Sequence, residues 1–449
     1  MRKRPLWFVG DVHLGRTTAS LPRALADHDL DVMDLSPIAA WKNLVEAVLA
    51  SDAEAVVFAG DVVDSDNARF EAYGPLSSAV QRLTKAGIRV LAVAGNHDVE
   101  ALPRLARELD GFELIGADGV WEERELDACS IVGWSFPRAR VRSNPVDEFD
   151  PSLLAPARES KPRLGLLHCD LDATVSDHAP VSSASLLAQP VDAWLLGHVH
   201  APSFIASTSR RVPLGYLGSL SPLHRGEIGA RGAVRLDLDG SRLAWRHVEL
   251  APVRFESLVI DLDLLCTSEP TRDRDAHAPD VTTTITRAMR DRLAAITASG
   301  EAPELRALVL RVSVQGHGDE FADVRAALEA LDAEGASVVH ENRVACICEL
   351  TRNVRAAYDL DALARGTDAV AMLAREVRAL ESGMTEAAVE LAEYSDRLRL
   401  DSRFRSLPRS GTARSASSTI DSEESERVRL LRVGHELLSY MIRERRGTT

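Results

Sequence analysis

Residues 6–13 read Leu6-Trp7-Phe8-Val9-Gly10-Asp11-Val12-His13: four apolar residues, a glycine, then a carboxylate and an imidazole two apart. The apolar part has the length and composition of a strand buried on both faces, and the polar part carries groups that bind metals. The pattern returns four times within the first 200 residues. Ala55–Ala59 runs into Gly60-Asp61, and Val90–Ala94 into Gly95-Asn96-His97-Asp98. Leu164–Leu167 runs into His168, and Ala193–Leu196 into Gly197-His198-Val199-His200. Helical patterns separate several of these runs. Ile38–Leu49, for example, follows Pro37, a favoured first helical residue, with Ser36 in the capping position. Strands that alternate with helices and end in polar side chains point to an α/β fold with its site at the carboxyl ends of the strands.

In an extended segment residues two apart share a side, so Asp11 with His13, and His198 with His200, are expected to project together. Mixed carboxylate and imidazole donors suit Mn, Fe or Zn better than Ca or Mg alone. Asp61 can bridge two ions through its two oxygens, and Asn96 offers a neutral amide oxygen. Gly10, Gly60, Gly95 and Gly197 are expected to let the chain turn sharply at each strand end. Any one of these histidines alone is most simply a satisfied core residue, whereas five in this order are hard to attribute to packing.

The rest of the composition bounds the answer without deciding it. At 449 residues, 45% hydrophobic and 27% charged, the chain is expected to form two or three globular units. Five scattered cysteines make no disulfide scaffold, and the alternating Cys346 and Cys348 should share one face of a buried strand. No apolar run reaches the roughly 18 residues of a membrane span. The apolar stretch at the start breaks at Gly10-Asp11, too soon for a secretory leader, so no membrane association and a cytoplasmic location are expected. The formal charge of -15 argues against indiscriminate coating of nucleic acid while permitting a local basic groove. Arg138, Arg140 and Arg142 alternate and suit either such a groove or a solvated edge.

From about Arg254 the pattern changes. Phe255–Leu262 reads as a strand, Val281–Ala298 as a helix, Leu305–Val314 as a strand, Asp323–Ala333 as a helix and Ala336–Leu350 as one or two strands. That order implies a small α+β domain. Ala369–Leu400 reads as a long helix and residues 407–424, rich in serine, as a flexible linker. Ser425–Arg446 reads as an amphipathic helix with Val428, Leu431, Leu438 and Ile442 on its apolar face and Ser422 or Ser425 as its cap.

Taken together, Gly-Asp-x-His, Gly-Asp-x-x-Asp, Gly-Asn-His-Asp, an isolated histidine and Gly-His-x-His resemble the signature of the calcineurin-like metallophosphoesterases. The resemblance covers residues 10–200 and is specific as an ordered set. It implies a two-sheet sandwich flanked by helices and a two-metal centre. Asp11, His13 and His200 would serve one ion, Asn96, His168 and His198 the other, and Asp61 would bridge them. His97 would be catalytic at the leaving oxygen, with Asp98 orienting it.

Finer details resemble SbcD-type DNA double-strand-break repair nucleases. Asp11-Val12-His13-Leu14-Gly15 is similar to their opening. Gly60-Asp61-Val62-Val63-Asp64-Ser65-Asp66 and Gly95-Asn96-His97-Asp98 depart from the protein phosphatases of the class. Tyr216-Leu217-Gly218-Ser219 is similar to the family's Tyr-Pro-Gly-Ser, with Leu217 replacing proline. Asp64 stands where some archaeal and eukaryotic relatives carry a histidine linked to exonuclease action. This resemblance implies a manganese-dependent 3′-5′ exonuclease and/or single-strand endonuclease that binds DNA, with His224 and the three arginines touching the substrate. It also implies a homodimer within a heterotetramer completed by an SMC-like, SbcC-type ATPase. The corresponding organisation is a nuclease domain at 1–250, an α+β capping domain at 251–352 and a helical segment at 353–406. The linker at 407–424 and a C-terminal helix at 425–449, which either docks on the partner or packs on its own chain, follow. The alternative is a stand-alone small-molecule phosphodiesterase or phosphatase of the same fold.

Overall fold

A computed structural model describes residues 4–65, 69–154, 161–239, 242–262, 281–318, 321–356, 358–382 and most of 430–444. The chain divides into two compact units. The first comprises residues 1–257, 286–311 and 335–348, and the second residues 258–285, 312–334 and 349–449.

The first unit is the expected two-sheet sandwich. One sheet has six strands in the order Arg242–Glu249, Gly232–Asp239, Leu6–Val9, Ala55–Ala59, Arg89–Val93 and Phe112–Leu114. The other has five, in the order Leu214–Tyr216, Ala193–Gly197, Arg163–His168, Ser130–Trp134 and Glu122–Glu125. Leu6–Val9, Ala55–Ala59 and Arg89–Val93 pair in parallel, as do Arg163–His168 and Ala193–Gly197, so the carboxyl ends of neighbouring strands share an edge.

Strand alternation explains why the apolar runs are unbroken. Leu6, Phe8, Ala55, Val57, Leu91 and Val93 pack with Leu164, Leu166, Ala193 and Leu195 between the sheets. Their neighbours Trp7, Val9, Val56, Phe58, Val90 and Ala92 face outward onto Trp41, Leu44, Leu76 and Leu83 of helices Pro37–Ala50 and Arg69–Lys85. Leu167, Trp194 and Leu196 meet a third cluster beyond the second sheet. Truncating the fully buried Phe8 to alanine would cost about 3–5 kcal/mol, because both the transfer and the cavity terms apply.

Two local expectations are corrected. Ser36 occupies the N-cap with extended dihedrals, but its hydroxyl donates backward to the Met33 carbonyl at 2.7 Å and does not cap the helix. Among the four strand-end glycines only Gly60 takes a left-handed φ, +96°. The others are needed for close approach; at Gly95 a Cβ would overlap the Asp61 carboxylate.

Strands Val253–Asp261, Ala307–Gly318, Arg343–Ala356 and Ser337–His340 form a further sheet in that order, and helix Val281–Ala298 has the bounds its pattern implies. Within the first unit, Val253, Phe255, Val309 and Cys346 join Leu25, Leu30 and Leu35, with Cys348 packed alongside. In the second unit, helix Ala369–Glu381 is capped by the Asp368 carboxylate, which accepts from the Ala371 amide at 2.9 Å. Leu430, Leu437 and the fully buried Leu438 pack with its Val370, Leu373, Val377 and Leu380, with Leu431 and Ile442 alongside. The apolar face of the terminal helix is therefore used on the chain's own helices. His435 fixes its register, with Nδ1 2.8 Å from the Tyr358 hydroxyl and Nε2 3.1 Å from Glu381 Oε1. The proposed linker 407–424, residues 383–400 of the long helix, Val428, the two candidate cap serines and Cys266 lie outside the described residues. Among the described residues no helix is long and apolar enough to cross a membrane.

Candidate functional site

The five polar strand endings meet at one edge of the sandwich. Asp11, His13 and His200 present ligand atoms within 4.8 Å of one another, and so do Asp61, His168 and His198. Asp61 Oδ2 stands between the groups, 3.9 Å from His13 Nε2 and 3.4 Å from His168 Nε2. Asn96 joins the second group, its Oδ1 3.0 Å from His168 Nε2.

The backbone reaches this arrangement through strained turns. His13, Asp61 and His198 have φ of 53°, 48° and 98°, a region that non-glycine residues enter only where the surroundings impose it. This corrects the alternation argument. His198 and His200 do not project together, since the turn at His198 sends it to Asp61 and His168 while His200 goes to Asp11 and His13. Hydrogen bonds hold the turns. The amides of Val12 and His13 donate to the Asp61 carbonyl at 3.0 Å, and the His198 amide donates to Asp11 Oδ1 at 3.1 Å. The His97 amide donates to Asp61 Oδ1 at 3.0 Å, leaving Oδ2 for the histidines.

The histidine tautomers follow from their outer partners. His13 Nδ1 lies 3.0 Å from Asp64 Oδ1, His200 Nδ1 2.8 Å from Glu227 Oε1, and His168 Nδ1 2.9 Å from the Ala59 carbonyl. Each of these nitrogens donates, so in the neutral ring each Nε2 carries a lone pair. Yet His13 Nε2 faces His200 Nε2 at 3.1 Å, and His168 Nε2 faces the Asn96 oxygen. Acceptor meets acceptor in both groups, a conflict that a bound cation, or a proton taken up in its place, resolves. The donor set of carboxylates, imidazoles and an amide oxygen fits two divalent ions.

Electrostatics agree. Burial works against charging His168, but the Asp61 carboxylate lifts it to about 9. Burial also opposes the Asp61 charge, yet His168 and His13 hold that carboxyl well below its usual range. His198 behaves oppositely, kept neutral down to about 4 by burial and by the His168 charge. Buried Asp11 and Asp61 concentrate negative potential where a dication would sit.

His97 is exposed, its ring 5.1 Å from that of His13, with Nδ1 2.8 Å from the Asp64 carbonyl. Its Nε2 is thus the nitrogen available to a substrate. Asp98, expected to orient His97, bonds to backbone amides of the turns beside it. Fully buried, Asp98 accepts from the amides of Val62 at 2.7 Å, Val63 at 3.3 Å and Gly95 at 2.8 Å. Burial and the nearby Asp61 charge push its carboxyl up to about 7.

Arg138, Arg140 and Arg142 are exposed on a loop pinned to the His178 segment, where the Ala179 amide donates to the Val141 carbonyl at 2.7 Å. Arg142 pairs with Asp177 at 2.6 Å and Arg140 lies 3.9 Å from it. The His178 ring packs tilted against that of His198, with centroids 4.8 Å apart. His224 is exposed, with Nε2 3.4 Å from Glu227 Oε1.

Sequence reasoning missed Asp170, His178, Glu227 and Arg231. Asp170 Oδ1 lies 3.2 Å from His198 Nε2 and groups with His178 and His198 within 4.8 Å. Arg231, buried, donates to the His200 carbonyl and, at 3.2 Å, to that of Ile228. No spacing rule flags these lone residues. The hairpin Gly232–Asp239 and Arg242–Glu249 was also missed, although Asp239-Gly240 is a recognisable turn signal.

Residues 4–202 match the family described as calcineurin-like phosphoesterase. The chain is 30% identical over 250 residues to "DNA double-strand break repair protein Mre11" of Aeropyrum pernix, covering 52% of this chain and 57% of that protein. It is 23% identical over 239 residues to "uncharacterized metallophosphoesterase YhaO" of Bacillus subtilis, covering 51% and 56%. To the Mre11 protein of Methanopyrus kandleri it is 23% identical over 272 residues, covering 56% and 58%. The chain therefore spans little more than half the length of each relative.

Proposed function

We propose that the chain, a hydrolase whose residues 4–202 match the calcineurin-like phosphoesterase family, is a two-metal, manganese-dependent phosphodiesterase acting on DNA ends. The observation that carries this reading is the pair of donor groups on either side of Asp61, each with an acceptor conflict that a cation relieves. Divalent ions bound there would polarise the phosphate and activate a water for in-line displacement. The protein's part is positioning. Asp61 spans the two groups, Asp11 anchors the His198 backbone, and Asp98 ties the Asp61 turn to the Gly95–His97 turn. Exposed His97, with its Nδ1 proton committed to the Asp64 carbonyl, offers Nε2 to the leaving oxygen.

DNA as substrate is supported by the names of two relatives and by the exposed Arg138, Arg140 and Arg142 on a loop fastened beside His178. In this reading cleavage is 3′-5′ exonucleolytic and/or endonucleolytic on single strands. Residues 251–352 cap the nuclease domain, and the C-terminal helical part engages an SMC-like ATPase, two copies of each forming a heterotetramer. A small-molecule phosphodiesterase is the competing reading, favoured by the formal charge of -15. Turnover of a chromogenic phosphodiester and of an oligonucleotide, measured side by side with Mn²⁺, separates them. A kcat/KM higher for the oligonucleotide supports DNA; brisk turnover of the small ester with intact oligonucleotide rejects it.

A further inference from the structure

Behind three of the candidate ligands stand carboxylates, and two of these, Asp170 and Glu227, belong to no motif. Asp170 Oδ1 stands 3.2 Å from His198 Nε2, while Glu227 Oε1 accepts a hydrogen bond from His200 Nδ1 and Asp64 Oδ1 one from His13 Nδ1. Such an outer carboxylate fixes the tautomer, locks the ring and raises the basicity of the nitrogen that remains. Each is itself supported. Asp170 Oδ2 accepts from the Ser176 hydroxyl, and the Asp170 amide donates to the His178 carbonyl at 2.9 Å. Glu227 Oε2 accepts from the Ser219 hydroxyl at 3.2 Å and the Leu223 amide at 3.1 Å. Burial disfavours the Glu227 charge, but the His200 bond holds the carboxyl below its usual range.

The supports are divided between the two donor groups. Asp170 reaches only His198, in the group with Asp61 and His168. Asp64 and Glu227 reach only His13 and His200, in the group with Asp11. The Asp170–His178 segment also packs the His178 ring against His198, whereas the Glu227–Arg231 loop grips His200 by ring and carbonyl together. We propose that Asp170 and Glu227 are positioning residues that each govern one metal site, so that the affinities of the two sites are set independently by two different loops. The proposal rests on the two-metal reading and deepens it.

The test is a Mn²⁺ titration of the purified full chain, read as ions bound per chain and as the spin-coupled Mn–Mn signal in electron paramagnetic resonance. Wild type should bind two ions. Asp170→Asn should keep one site and weaken the other about 10–100-fold, with loss of the coupled signal. Glu227→Gln should do the same. His168→Ala identifies which site is lost: combined with Asp170→Asn it should remove nothing further, but combined with Glu227→Gln it should leave no tight site. Asp170→Glu, which keeps a carboxylate, should recover part of the affinity, and Asp177→Asn in the same loop should change neither site. Both ions retained at wild-type affinity in Asp170→Asn, or both weakened equally, would overturn the proposal while leaving the two-metal reading intact. A wild-type chain that binds no Mn²⁺ would remove both.

Discussion

The Nε2 atoms of His13 and His200 face each other at 3.1 Å, each ring having committed its Nδ1 proton to a carboxylate. A divalent cation turns this repulsion into coordination, so metal should stabilise the fold. Saturating Mn²⁺ at one hundred times its Kd should contribute about 2.7 kcal/mol per site, seen as a rise in Tm over chelator-treated protein. In His13→Ala the rise should shrink. An equal Tm with Mn²⁺ and with EDTA would speak against metal at this position.

Asp98 couples the two turns that carry Asp61 and His97. Asp98→Ala leaves three buried amides without an acceptor and should cost at least ~3 kcal/mol in urea denaturation. Loss of metal affinity should accompany it, because the Asp61 turn is released. A variant as stable as wild type would show that these bonds do not hold the turns.

The site itself was legible only in part. Asp11, His13, Asp61, Asn96, His168, His198 and His200 could be picked out because each ends or follows an apolar run. The carboxylates behind them could not, because Asp170, in the short strand Asp170–Leu171, and Glu227 are lone acids whose partners lie 28 and 27 positions away in sequence. The five strands were legible for the same reason as the ligands. Their division between two sheets was not, because a strand buried on both faces looks alike wherever it packs. The split of His198 from His200 depends on a left-handed turn at a histidine, which no propensity predicts.

Exposed Arg138 and Arg140 should bind phosphates without affecting the chemistry. Replacing both by alanine should weaken oligonucleotide binding and lower the slope of log K against log salt by about 0.7–0.9 for each phosphate no longer neutralised. Turnover of a small phosphodiester should be unchanged. An unaltered salt slope would return this loop to a solvated edge.

His247 gives a pH dependence away from the metal centre. Burial and the charges of Arg231 and Arg254 push it down to about 4. An unfolded histidine titrates near 6.5, so between about 6.5 and 4 the unfolded chain holds the extra proton. The stability from neutral His247 is complete above about 6.5 and is lost as the pH falls towards 4, at up to ~1.4 kcal/mol per pH unit. Urea midpoints for wild type and His247→Gln at pH 7 and pH 5 should therefore converge at the lower pH. Parallel shifts would contradict this assignment.

The most direct measurement is degradation of a labelled oligonucleotide by the purified chain with Mn²⁺, beside Mg²⁺, EDTA and a His97→Ala control. Cleavage that requires Mn²⁺, stops in EDTA and falls by about 10²-fold or more in His97→Ala is the expected result, the range in which a positioned acid or base contributes. An oligonucleotide left intact by the manganese-loaded chain, or cut as fast by His97→Ala as by wild type, would contradict the assignment of a DNA-cleaving two-metal site with His97 at the leaving oxygen.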